Sequence, residues 1–199
     1  MDARHPTAVA LRERLSQLSP LSPKTWAGLL ATTTELSLGK AEFFSQPGWP
    51  ATRFGIVLTG LVRHFYVDAR GRESVKAFRG PFEFSAPYAE LIQQKPSRTF
   101  IQALAPTTLL CFDMAKVEAL SESSLELQRL ARRFVELHFV QKEQREYEFL
   151  QLSAEERYAR FCAERPEHLA DIPQHQVASY IGITPVALSR IRARRVKRR

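Results

Sequence analysis

From Gln174 to Ile191 the chain reads Gln-His-Gln-Val-Ala-Ser-Tyr-Ile-Gly-Ile-Thr-Pro-Val-Ala-Leu-Ser-Arg-Ile, and no other stretch restricts the fold as tightly. Ala178 is the small residue that lets a second helix approach, and Gly182 supplies the positive φ of a tight turn four residues later. Thr184 is a natural N-cap and Pro185 a natural first helical residue, so a second helix is predicted to begin there. Val177, Ile181, Ile183, Leu188 and Ile191 then stand where the two helices lock together. This is the pattern of a helix-turn-helix, which points to DNA.

Charge placement points the same way. Arg190, Arg192, Arg194, Arg195, Lys197, Arg198 and Arg199 occupy the last ten residues with no acidic residue among them. Without these seven the formal net charge falls from +8 to +1. A charge run is ordinarily a solvated end; attached to a helix-turn-helix it is a footprint for phosphate. At about 100° per residue the second helix turns Leu188 and Ile191 inward. The opposite face carries Val186, Ser189, Arg190 and Ala193, with Arg192 and Arg194 on its flanks. Val186, Ser189 and Arg190 are therefore the predicted base readers, Arg190 through a bidentate bond to guanine O6 and N7. Thr184, Arg192, Arg194, Lys197 and Arg198 are the predicted phosphate contacts.

The 199 residues have room for one medium domain and a small one. With 44% hydrophobic and 25% charged residues the chain is globular. It has no apolar run near the ~20 residues of a membrane span, and Met1 to Leu18 lacks a signal-peptide core. A cytoplasmic location is expected. Cys111 and Cys162 are far apart and read as reduced packing residues. Two cysteines cannot supply the four thiolates of an iron–sulfur cluster, and the five histidines are scattered, so no metal or cofactor is expected. There is no P-loop, GxGxxG or GxSxG, and no enzymatic activity is predicted.

Three segments separate by pattern: 1–120, 121–152 and 153–199. Val9 to Leu18 and Pro23 to Leu30 read as short helices. Thr52 to Val67 has the alternation of a β-hairpin turning at Thr59-Gly60, and Asp68 to Gly71 is a second turn before Glu73 to Phe78. Thr99 to Ala103 and Thr108 to Phe112 are two later strands. Short strands with frequent turns predict a sandwich, roll or barrel. From Ser121 to Leu152 there is no Gly or Pro, and Leu127, Leu130, Phe134 and Leu137 recur at three-four spacing. A helix about 45 Å long is longer than a small β-domain can cover. A second copy is the economical partner, so these four residues are the predicted dimer seam. Ser153-Ala154-Glu155-Glu156 is a capping box, its helix carries Tyr158 and Phe161 inward, and Pro166 closes it.

In this order the pieces resemble the Crp–Fnr superfamily of bacterial transcription regulators. The likeness rests on Pro47-Gly48, Leu58-Thr59-Gly60-Leu61-Val62-Arg63, Asp68 to Gly71, Ser153 to Tyr158 and Ile172 to Arg192, and covers nearly the whole chain. It implies an α+β fold: an N-terminal β-roll sensor with flanking helices, a long dimerisation helix and a C-terminal winged helix-turn-helix. It implies a homodimer on double-stranded DNA, with RNA polymerase as a further partner; the roll then either senses a small-molecule effector that is uncharged and apolar or serves only as a scaffold.

Members that bind cyclic nucleotides resemble one another in a Gly-Glu-Leu turn followed about ten residues on by Arg-Ser/Thr-Ala. There the glutamate takes the ribose 2′-OH and the arginine the cyclic phosphate. Glu83, Arg98 and Thr99 are the residues of this chain nearest to that set. However, Glu83 lacks the preceding glycine, Arg98 follows it by fifteen residues, and Pro81 and Pro87 remove backbone donors. Val186 likewise stands where many relatives have a glutamate that accepts from cytosine N4. The family's usual half-site is therefore not expected. His64 or Cys111 could ligate haem, but both fall in strand patterns and read as packed residues. A cupin-like enzyme would need clustered histidines, and His64 stands alone in the β-region. The remaining alternative is a ligand-binding module whose basic tail contacts RNA or an acidic protein. Sequence preference among duplexes separates it from a regulator.

Overall fold

The computed structural model describes residues 3–197. Two helices, α1 (Pro6–Leu18) and α2 (Pro23–Leu30), precede the strands β1 (Thr33–Leu38), β2 (Phe43–Ser45), β3 (Arg53–Thr59), β4 (Val62–Val67), β5 (Glu73–Arg79) and β6 (Phe84–Ser85). A short α3 (Tyr88–Gln93) leads to β7 (Phe100–Ala103), β8 (Thr107–Asp113) and α4 (Met114–Glu122). The long α5 (Leu125–Gln151) is followed by α6 (Ala154–Glu164), α7 (Gln174–Ile181) and α8 (Pro185–Lys197).

The strands form two four-stranded sheets, ordered β1-β8-β3-β6 and β2-β7-β4-β5. The fold is α+β, with a β-roll as predicted. β3 and β8 pair antiparallel with Ile56 opposite Leu110 and Val57 opposite Leu109. Alternation then sends Ile56, Leu110 and Phe112 to one face, where they pack with Trp26, Leu29, Leu127 and Leu130 of the helices. Val57, Leu109 and Cys111 go to the other face, with Phe44, Val62 and Ile101. Both faces of this sheet are covered, which is why β3 is buried at three consecutive positions. Burial also pushes the Cys111 thiol up to about 11, an inert packing residue.

One sequence expectation is corrected. β3 and β4 do not pair as a hairpin; they lie in different sheets. At the crossing Gly60 has φ +86°, and a side chain there would strike Pro106 and Thr107. The Leu61 N–H donates to Thr107 Oγ1 at 3.1 Å, and the Leu104 N–H to the Leu61 carbonyl at 2.8 Å. The turn is thus held against the β7–β8 connection and delivers β4 to the second sheet.

Contacts divide the chain into two compact units. The first contains the chain up to Arg63 together with Phe78–Phe139; the second contains His64–Ala77 and the chain from Val140 onward. α5 contributes to both.

Candidate nucleic-acid interface

In the second unit, α6 opens with the predicted capping box: Glu156 N–H donates to Ser153 Oγ at 3.3 Å, and Ser153 N–H to Glu156 Oε2 at 2.8 Å. α7 buries Gln176, Val177, Ala178 and Ile181. It ends on Gly182 at φ +77°, where the Ile183 N–H returns to the Ala178 carbonyl at 3.0 Å. Thr184 Oγ1 accepts from the Ala187 N–H at 3.2 Å and caps α8. Leu188 and Ile191 face inward, as their spacing predicts. Ser189, Arg190, Arg192 and Arg194 are exposed, and Val186 is 62% exposed. α8 therefore presents a free polar and cationic face of the width a major groove admits.

Arg195 departs from that face. Its guanidinium lies 5.5 Å from the Tyr158 ring on α6 and helps seat α8. Burial, followed by a hydrogen bond with Cys162, raises the Tyr158 phenol pKa. Lys197 ends α8, but its side chain and the whole of Arg198 lie outside the described residues.

Two arginines that the sequence reading did not single out hold the turn. Arg145 Nη2 donates to the Tyr180 carbonyl at 2.8 Å, with its guanidinium 3.9 Å from the Tyr180 ring centre. Arg157 Nε donates to the Ile181 carbonyl at 2.9 Å, and its Nη1 to the Leu152 carbonyl at 2.5 Å. The last carbonyls of α7 lack helical partners, and cations at a helix C-terminus satisfy them and complement the dipole. Burial lowers the Arg145 pKa, so that charge is held by these bonds rather than by solvent. No periodicity marks either residue; their partners lie 35 and 24 residues away. Ser179 makes a third long-range contact. It accepts the Val75 N–H at 3.0 Å and donates to the Glu73 carbonyl at 3.1 Å, closing part of the free edge of β5.

In the first unit, the residues nearest to a phosphate cassette are engaged with different partners. Glu83 accepts the Gly80 N–H at 2.6 Å and faces Arg79 at 3.9 Å. Arg98 Nε instead meets Glu90 Oε1 at 2.7 Å. Glu90 is buried on α3, eight residues before Arg98 in the chain. Thr99 is fully buried; its N–H donates to Ser97 Oγ at 3.0 Å, and its hydroxyl has no partner among the described residues. Sequence reasoning took Glu83 as the glutamate of the set and missed Glu90. The signal was Glu90-Leu91, which stands eight residues before Arg98-Thr99, nearer the expected ten than the fifteen of Glu83.

The four residues of the predicted dimer seam stand in different surroundings within one chain. Leu127 and Leu130 are buried in the chain's own core against Ile56, Leu110 and Phe112. Phe134 packs edge-on against Phe84 at 4.8 Å, with His138 4.1 Å away. Leu137 is exposed. The two buried leucines and the half-buried Phe134 serve the roll because the helix face that continues the core is the face with the strongest apolar repeat. The exposed apolar residues of the later turns include Val140, Tyr147 and Leu150, at 63%, 55% and 72%, beside Phe139 and Phe149. No helix among the described residues is long and apolar enough to cross a membrane.

A β-roll of two four-stranded sheets, a long helix and a helix-turn-helix define a recognisable class of architecture. It is found in FixK2 from Bradyrhizobium japonicum, which superposes with a TM-score of 0.71 over 83% of this chain and 85% of its own, at 22% identity. CLP of Xanthomonas campestris, described as a c-di-GMP responsive global regulator, matches with a TM-score of 0.65 over 85% and 89%, at 15% identity. A candidate Crp/Fnr-family regulator from Eubacterium rectale gives 0.70 over 89% and 85%, also at 15%. The chain has the fold of these proteins. No protein-family profile and no curated protein sequence matches it.

Proposed function

We propose that this protein is a homodimeric, sequence-specific DNA-binding transcription regulator of the Crp–Fnr type. The observation that carries the reading is the exposed face of α8. It is capped by Thr184, seated on Leu188 and Ile191, and presents Val186, Ser189 and Arg190 between flanking arginines. A helical hairpin built only for stability would have no reason to concentrate seven of the chain's cations on its second helix and tail. The shared fold with FixK2 and CLP supports the same reading. Arg190 is assigned to a guanine edge and Val186 to a thymine methyl. Thr184, Arg192 and Arg194 are assigned to phosphates, with Lys197 and Arg198 continuing the basic run.

The dimer is supported by Val140, Tyr147 and Leu150, spaced seven and then three residues apart on the exposed side of α5. A two-fold pairing there would present two reading helices to a pseudo-palindromic site, as symmetric DNA half-sites require. RNA polymerase is the partner such a regulator would address once bound.

Selection of bound sequences from random duplex DNA, with RNA as competitor, tests the function. Enrichment of a two-fold site is the expected result. Equal binding to all duplexes and to RNA would replace it with a non-specific basic module.

A further inference from the structure

In the first unit, a cleft of about 290 Å³ is lined by Phe44, Ser45, Trp49, Pro50, Arg53 and Pro87, among others. It shares no residue with the helix-turn-helix or with Glu83, Arg98 and Thr99. Arg53 opens β3, and its guanidinium carbon lies 5.3 Å from the centre of the Phe44 ring. Such a cation–π contact uses no hydrogen-bond acceptor and so leaves the guanidinium's N–H donors to be satisfied elsewhere. The Arg53 guanidinium meets no carboxylate among the described residues. Asp113 is its neighbour in the sheet register, but the Asp113 carboxylate accepts the Lys116 N–H at 3.0 Å and caps α4.

Trp49 supplies the second element. Its indole is 46% exposed, whereas Trp26 is buried. The loop that carries it is pinned: Gly48 N–H donates to the Ser97 carbonyl at 2.9 Å, and Ser97 N–H to the Trp49 carbonyl at 2.8 Å. A bridge between Pro50 and Pro96 extends this pairing. The aromatic surface is therefore held toward solvent on a rigid support, which reduces the entropy lost when a ligand covers it. Ser45, almost fully buried and bonded to Ser97 Oγ at 2.9 Å, closes the floor with a fixed polar group.

We propose that this cleft binds a small planar aromatic carboxylate. The carboxylate would take the Arg53 fork in two parallel hydrogen bonds, and the ring would lie between the indole of Trp49 and the proline walls. Its volume is just below the span of pockets that hold drug-sized ligands, so it suits a single ring rather than a nucleotide. One cation that meets no carboxylate among the described residues, beside the Trp49 and proline surfaces, matches one negative charge and selects against a polyanion.

Benzoate titrated into the full-length protein, followed by Trp49 fluorescence and by calorimetry, tests the assignment. Benzamide serves as the uncharged analogue and acetate as the ringless one. Saturable binding with a Kd of about a millimolar or tighter is expected for benzoate alone. Arg53→Gln is expected to weaken it about tenfold or more, and Arg53→Lys, which keeps the charge without the fork, to weaken it as well. An unchanged melting temperature in either variant establishes that the fold is intact. The proposal is overturned if benzoate does not saturate, if benzamide or acetate binds as tightly, or if both folded variants retain the wild-type Kd.

Discussion

The ring of Phe149 lies 2.6 Å from the point where a Cβ on Gly182 would stand. Gly182 therefore meets two requirements at once: the left-handed turn at φ +77° between α7 and α8, and close approach of α5 beneath that turn. Arg145 and Arg157 stack on the same phenylalanine while bonding the carbonyls of Tyr180 and Ile181. The orientation of α8 is thus referred to the long helix through one aromatic ring.

Gly182→Ala is expected to lower stability by about 1–3 kcal/mol from backbone strain and the steric conflict together. Chemical denaturation measures the loss. Adding Phe149→Ala should relieve only the steric part, so Gly182→Ala should cost less in that background than in the wild type. Equal cost in the two backgrounds would remove Phe149 from the account.

The dimer assignment separates two faces of α5. Val140→Glu or Leu150→Glu should shift the sedimentation mass to that of a monomer without unfolding the chain, because each exposed side chain is unpaired within the subunit. Leu130→Ala should instead destabilise the first unit by about 2–5 kcal/mol and leave the association state unchanged while the chain stays folded. A dimer that survives both Val140→Glu and Leu150→Glu has its interface elsewhere.

Base reading and phosphate contact are distinguishable on α8. Arg190→Ala should cost about 1–3 kcal/mol on the selected site and flatten preference at one base pair per half-site. Arg194→Ala should weaken all duplexes alike and lower the salt slope by about one per phosphate released. If Arg190→Ala weakens specific and random DNA equally, Arg190 is a phosphate contact.

His138 has a pKa held below its ordinary 6.5, chiefly by burial and further by Arg79, against the opposing pull of the Phe134 carbonyl and Glu83. Its folded pKa is depressed, so the unfolded chain binds more protons as pH falls through 6.5 toward the folded value. Stability is complete above 6.5 and declines across that window. Denaturation curves at pH 7 and 5 should show a smaller drop in His138→Gln than in the wild type, and an identical drop would exclude His138 as the source.

Cyclic AMP and cyclic GMP are expected to leave the melting temperature unchanged, since Arg98 is committed to Glu90 and prolines flank the Glu83 segment. A ligand that binds only the folded state at a hundred times its Kd adds about 2.7 kcal/mol. A rise of several degrees with millimolar nucleotide would show that the Glu90–Arg98 pair opens to admit it.

The helix-turn-helix was legible because its signals are local. Thr184, Pro185 and Gly182 each fix a backbone geometry by their own chemistry, and the 3.6-residue period assigns Leu188 and Ile191 to the inner face wherever the element sits. The capping box at Ser153 and Glu156 is local in the same sense. These features need only a few neighbouring residues to be specified.

Where the signal was partner-dependent, sequence and structure part. The alternation of Phe54, Ile56 and Leu58 marks a strand but is silent on which strand lies beside it, and the Gly60 crossing sent β4 to the other sheet. The stripe through Leu127, Leu130 and Phe134 marks a buried face, yet burial against the chain's own roll and burial against a second copy leave the same repeat. Glu90 and Arg98, or Arg145 and the Tyr180 carbonyl, are brought together by folding of segments between them that carry no record of the pairing. Backbone sterics and residue charge alone made the capped helices of the C-terminal part, the strands around Gly60 and the cationic face of α8 legible, whereas the short β1, β2 and α3 left no such local mark. Which apolar faces meet and which polar groups find each other is settled by long-range packing, and no local pattern encodes it.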